Sequence, residues 1–110
     1  MQVASGKKEQ TSEPATGRRW DFLTNHAHVL LCVAEDPGIR LRDVAAAVGI
    51  TERAAHKIVS DLVEGGYVTR EKRGRRNRYT VVPNLPLRHP LVERREVGDL
   101  LGVLRSDDDK

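Results

Sequence analysis

The sequence predicts a small, mainly helical α+β domain with three helices, a two-stranded β-hairpin and a closing helix. Three observations carry this: apolar residues recur at helical spacing in three successive segments between Thr24 and Leu62; two β-branched and aromatic clusters then flank a basic connection; and a leucine-rich amphipathic segment follows. A chain of 110 residues fits one compact domain. Hydrophobic residues make up 38% but aromatic ones only 4%, so its core must be built from Leu, Val, Ile and Ala, which suits packed helices.

Residues 1–19 carry almost no bulky apolar side chain and read as a disordered tail, because they cannot offset the entropy of ordering. The domain proper is expected at 20–88, with Trp20 and Phe22 packing ahead of the first helix. In that helix Ala27, Leu30, Leu31 and Ala34 form one stripe. Thr24 or Asn25 caps its start, and Asp36, Pro37 and Gly38 stop it. Leu41, Val44, Ala45 and Val48 define a second, two-turn helix ended by Gly49. Thr51 is a good N-cap for a third run at Ala55, Ile58, Val59 and Leu62, ended by Gly65 and Gly66. Tyr67 to Thr69 and Tyr79 to Val82 read as strands around a connection holding Gly74 and Asn77. Pro83 and Pro86 break the chain before a fourth helix, at about 89–105, with His89 as a possible cap and Pro90 early in it. Val97, Leu100, Leu101 and Leu104 share one face of it, and residues 106–110 form a polar tail.

The segment LRDVAAAVGITERAAHKIVSDLVEGGY, residues 41–67, is the most specific in the chain. It resembles a helix-turn-helix, in which a short helix and a glycine-bearing turn let a longer helix project into a DNA major groove. Ala45, Ala46 and Ala47 would let the helices approach closely, and Ile50 would plug the corner. With the third helix buried on Ala55, Ile58, Val59 and Leu62, the opposite face carries Arg53, Lys57, Ser60 and Glu64. The N-terminal half of such a helix reaches base edges, so Thr51, Arg53, Ala54, His56 and Lys57 are the expected base contacts, with Arg53 suited to guanine and Glu64 too far back; Arg42 and Ser60 are also expected to contact the DNA.

Downstream, GGYVTREKRGRRNRYTV places Arg70, Lys72, Arg73, Arg75, Arg76 and Arg78 in nine residues, against Glu71 alone, on a connection too short to bury them. This strand, basic tip and strand resembles the wing of the MarR and ArsR groups of winged helix-turn-helix regulators. The resemblance covers about Thr24 to Val82 and implies a transcriptional regulator that binds double-stranded DNA. It also implies a wing tip, here Arg73, Arg75, Arg76 and Arg78, on the phosphate backbone or in the minor groove. The charge agrees: residues 40–79 hold ten Lys or Arg against five Asp or Glu, in a chain of net +3 and pI near 9.4. The long dimerising helices and ligand cavity of full MarR proteins do not fit in the remaining residues.

The final helix either folds back on the first or pairs with its copy in a second subunit. Dimerisation through Val97, Leu100, Leu101 and Leu104 is the preferred reading; it would set two recognition helices about 34 Å apart on a palindromic site. Other classes find less support. No apolar run approaches the ~20 residues of a membrane span. One cysteine and no signal-like segment point to the cytoplasm. No nucleophile stands beside a base, no glycine loop suits phosphate and no carboxylates pair, so no enzyme is expected. His28 and Cys32 are four apart but lack a local third ligand, so a buried structural Cys32 is favoured, with no metal or cofactor. The rival readings are a winged-helix protein-docking module, which the six wing cations disfavour, and a metal- or ligand-responsive switch.

Overall fold

The structure, a computed structural model, describes residues 20–105; the tails expected at 1–19 and 106–110 lie outside them. The element order is α1 (Asn25–Glu35), α2 (Leu41–Val48), α3 (Glu52–Glu64), β1 (Val68–Arg73), β2 (Arg76–Val81) and α4 (Val97–Leu104). Each helix of the N-terminal half starts or stops where its side chains dictate. Thr24 Oγ1 accepts from the Ala27 amide at 3.2 Å, and Thr51 Oγ1 from the Ala54 amide at 3.0 Å, satisfying amides that have no intrahelical partner. Gly49, at φ 89, ends α2 in the left-handed region, and the Gly49 and Ile50 amides both return to Ala45 O.

One core joins all elements. Val29, Leu30 and Val33 of α1 meet Val44 and Ala45 of α2, the stripe Ala55, Ile58, Val59 and Leu62 of α3, the hairpin root at Tyr67, Val68 and Tyr79, and Val97 and Leu101 of α4. The α3 stripe is the expected one. That of α1 is not: Val29 and Val33 are fully buried, while Ala27, Leu31 and Ala34 are only half-buried. Residues 29–34 are almost continuously apolar, so periodicity could not choose a face. Contact with α2, α3, β2 and α4 together then covers most of the helix. Ala46 and Ala47 are exposed, so only Ala45 of the alanine run serves close helix approach. Trp20 and Phe22 do not pack on the body; they are 75% and 92% exposed and meet each other edge to face.

The hairpin is longer and its turn tighter than expected. β1 and β2 pair antiparallel from Val68↔Val81 to Arg73↔Arg76, leaving Gly74 and Arg75 as the link, with Gly74 at φ 63 as a two-residue turn requires. Five of the six wing cations therefore lie on strands, and the basic connection is an extension of the sheet.

The C-terminal helix is shorter than expected. Residues 83–96 form a strap of turns, closed by a bridge between Pro86 and Glu96 and by Leu87 N–H donating to Arg95 O. His89 Nδ1 accepts from the Leu91 amide at 3.1 Å, closing a local turn; it caps no helix. Leu85 and Leu87 of the strap pack against the core, but Leu91 and Val92 are exposed, so residues 89–96 offer no inward stripe to hold a helix against the body. α4 begins only at Val97, where the Asp99 carboxylate accepts from the Glu96 amide at 2.9 Å. The strap is held by Tyr67, whose hydroxyl donates to Pro86 O, and Arg88 lies over the Tyr67 ring, 6.0 Å from its centre. Val97 and Leu101 face this chain's own core, which corrects the expected dimer face: of its four residues only half-buried Leu100 and exposed Leu104 remain accessible. Among the described residues no helix is long and apolar enough to cross a membrane.

Candidate nucleic-acid interface

The turn between α2 and α3 fixes how α3 leaves the body. Left-handed Gly49 reverses the chain, half-buried Ile50 packs against the core beneath the corner, and Thr51 restarts the helix two residues later. Because α3 buries Ala55, Ile58, Val59 and Leu62, its opposite side must carry Arg53, His56, Lys57 and Ser60. These four, with Glu52 and Leu41, line an open groove along the α2–α3 edge. Arg53, His56 and Lys57 are exposed and Ser60 is half-buried. Arg42 is exposed on α2, Thr51 is exposed with its oxygen engaged as a cap, and Ala54 is half-buried.

In the hairpin, cross-strand partners point to the same face, so the register sorts the cations. Arg70 and Lys72 share a face with Asn77 and Tyr79; Arg73, Arg76 and Arg78 share the other with Glu71. Arg75 sits in the turn, and all six cations are exposed. Arg73 Nη2 donates to Glu71 Oε1 at 3.2 Å. Arg76 also anchors the hairpin, since its Nη2 donates to Gly38 O at 2.6 Å, while the Tyr79 amide donates to Pro37 O at 2.8 Å. Together these bonds fasten the wing to the α1–α2 connection.

That fastening builds a second open groove, lined by Ile39, Arg40, Leu41, Arg75, Arg76, Asn77 and Tyr79. Three arginines from two separate elements converge on it, and none of its lining residues is acidic. Arg40 is not among the contacts expected from the sequence. In the sequence it is only a cation just before a helix; the structure shows that its side chain makes no cap bond. Leu41 lines both grooves, so the outward side of α3 and the root of the wing adjoin on one side of the molecule.

Lys57 Nζ lies 2.8 Å from Asp61 Oδ1, and His26 Nε2 lies 2.8 Å from Asp61 Oδ2. Bonding and charge from Lys57, then from His26, hold the Asp61 carboxyl below its ordinary value, and Asp61 in turn raises Lys57. Cys32 is half-buried, and burial pushes its thiol up, away from the reactive thiolate. His28 is turned toward Asn25, with Nδ1 3.4 Å from Asn25 Oδ1. Among the described residues no three His, Cys, Asp or Glu gather as a metal site would need.

A family model described as MarR family matches residues 20–78, which run through α1, α2, α3 and β1 into β2. No curated protein matches the chain.

Proposed function

The chain belongs to the MarR family of DNA-binding transcription regulators, and from that premise we propose that it recognises a particular double-stranded DNA site, with α3 in the major groove and the wing on the flanking backbone. Members of this family are regulators and not enzymes. The observation that carries the proposal is the adjacency of the two grooves along Leu41. A helix in a B-DNA major groove, about 12 Å wide, brings the bordering phosphates to either side of it. On one side of α3 stand Arg40, Arg75 and Arg76.

Arg53, His56, Lys57 and Ser60 take the base edges, with Arg53 forked onto guanine O6 and N7. Arg42, Arg70, Lys72, Arg73 and Arg78 join the wing-root arginines as phosphate contacts, and Arg75 at the turn reaches toward the minor groove, where a narrow groove concentrates negative potential. Thr51 and Ala54 act differently from the other expected contacts: Thr51 fixes the helix start, and Ala54 gives the backbone room to approach. Regulation follows from occupancy of a promoter site in the cytoplasm. Two-fold pairing through Leu100, Leu104 and the adjacent Val103, which is 74% exposed, would present two α3 helices to a palindrome.

The test is selection of bound fragments from a random duplex pool, followed by affinity measurement on the selected and scrambled sequences at fixed salt. A consensus of half-sites and a preference of at least about 10³-fold support the reading. Equal affinity for both duplexes refutes it.

A further inference from the structure

Lys57 stands in the middle of the outward face of α3, yet its ammonium is already held. Asp61, one turn further on, takes it at 2.8 Å through Oδ1, while Oδ2 is 2.8 Å from His26 Nε2 of α1. A helical side chain leans toward the helix N-terminus, so a carboxylate at i+4 reaches back over Lys57 naturally. The contact from α1 then pins the carboxylate from a second element. The result is a fixed negative charge held against Lys57, beside a groove lined by Leu41, Glu52, Arg53, His56, Lys57 and Ser60; of the two carboxylates there, only that of Asp61 bonds a groove cation.

Resting on the DNA-binding reading above, we propose that Asp61 is a positioning residue for specificity, which tethers Lys57 for base contact and withholds it from phosphates. An ammonium has three donors, and the tether occupies one. When α3 is seated in its proper site, the other two donors address base edges with the Asp61 bond intact. On a random duplex the helix is not seated, and Lys57 gains a phosphate only by leaving Asp61. The tether thus weakens non-specific binding more than specific binding. Exposed ion pairs are individually weak, so the effect is a several-fold bias.

The test compares the whole protein and its variants Asp61→Asn, Asp61→Glu, Lys57→Ala and the double Lys57→Ala/Asp61→Asn on the selected duplex and on a random duplex, across a salt series. Circular dichroism verifies that each is folded. In Asp61→Asn, released Lys57 should steepen the salt slope on random duplex by about 0.9. The ratio of specific to random affinity should fall roughly two- to fivefold. Asp61→Glu, which can still reach Lys57, should restore much of the ratio. In the Lys57→Ala background the Asn substitution should change neither quantity. Unchanged slope and ratio in Asp61→Asn overturn the proposal. So does an equal change with Lys57 absent, since that would reflect only the loss of a repulsive charge. A wild-type protein that does not distinguish the two duplexes overturns the DNA-site reading itself, and this inference with it.

Discussion

Lys72→Ala/Arg75→Ala separates the wing's electrostatic work from its structural work. Lys72 stands opposite Asn77 near the hairpin end, and Arg75 occupies the turn; both are exposed. The bonds that fasten the hairpin run through Arg76 and Tyr79, so removing Lys72 and Arg75 leaves the wing in place. If each of the six wing cations, and Arg40 and Arg42 beside them, neutralises one phosphate, counterion release sets a log-log salt slope of about −7.2 for the wild type and about −5.4 for the double variant. A rise from about 50 to about 200 mM salt then weakens the wild type about 22,000-fold and the variant about 1,800-fold. Fluorescence anisotropy on one labelled duplex at five or six salt concentrations reads this directly. The thermal midpoint serves as control and should match the wild type, since the substituted positions are surface ones. Parallel salt plots for the two proteins would show that the wing does not contact phosphate, and the proposed docking would fall.

Arg53→Ala should relax preference at one base position by about 1–3 kcal/mol while leaving the salt slope nearly unchanged, as read by competition with single-base variants of the selected site. Thr51→Ala removes the bond to the Ala54 amide and should cost about 1 kcal/mol in urea denaturation; an unchanged midpoint would mean the cap contributes nothing. Gly98→Ala places a Cβ 3.0 Å from both Pro83 Cβ and Pro83 O, and that carbonyl is held by the Gly98 amide at 2.8 Å. The overlap should outweigh the gain in helix propensity and destabilise the protein by about 1–2 kcal/mol, seen in the same assay. Asp61 has a lowered pKa in the folded protein, so its contribution is present above the ordinary carboxylate range and fades as pH falls through the lowered value; Lys57 has a raised one, so its contribution fades as pH rises through that. The stability difference between wild type and Asp61→Asn should therefore narrow below about pH 4 and above about pH 10. A difference that is constant across that range would show the ion pair to be energetically silent.

The readable part of the site was the part carried by a single element. Arg53, His56, Lys57 and Ser60 follow from the position of the α3 stripe, and the wing cations from their density in sequence. Arg40 escaped because its neighbours in space, Arg75 and Arg76, lie more than thirty positions away, and only the folded wing brings them together. The anchoring role of Arg76 escaped for the same reason, since its partner Gly38 lies across the fold and nothing local marks the bond. The tether on Lys57 was half legible: Asp61 at i+4 is a local pairing, but His26 belongs to α1.

The sequence by itself determined the first three helices and their limits. Thr24, Thr51 and Gly49 act through bonds to their own neighbours, and α3 alternates apolar and polar residues sharply enough to leave one possible buried face. Tertiary structure decided which way α1 turns, where α4 starts and which of its leucines remain outside. It also set the wing against the helix-turn-helix through the bonds to Pro37 and Gly38. The division has one physical cause. Caps and periodicity are short-range and written in consecutive residues, whereas a continuously apolar helix, a strap held by Tyr67 or a hairpin hung on a distant carbonyl takes its position from groups that meet only after the chain has folded.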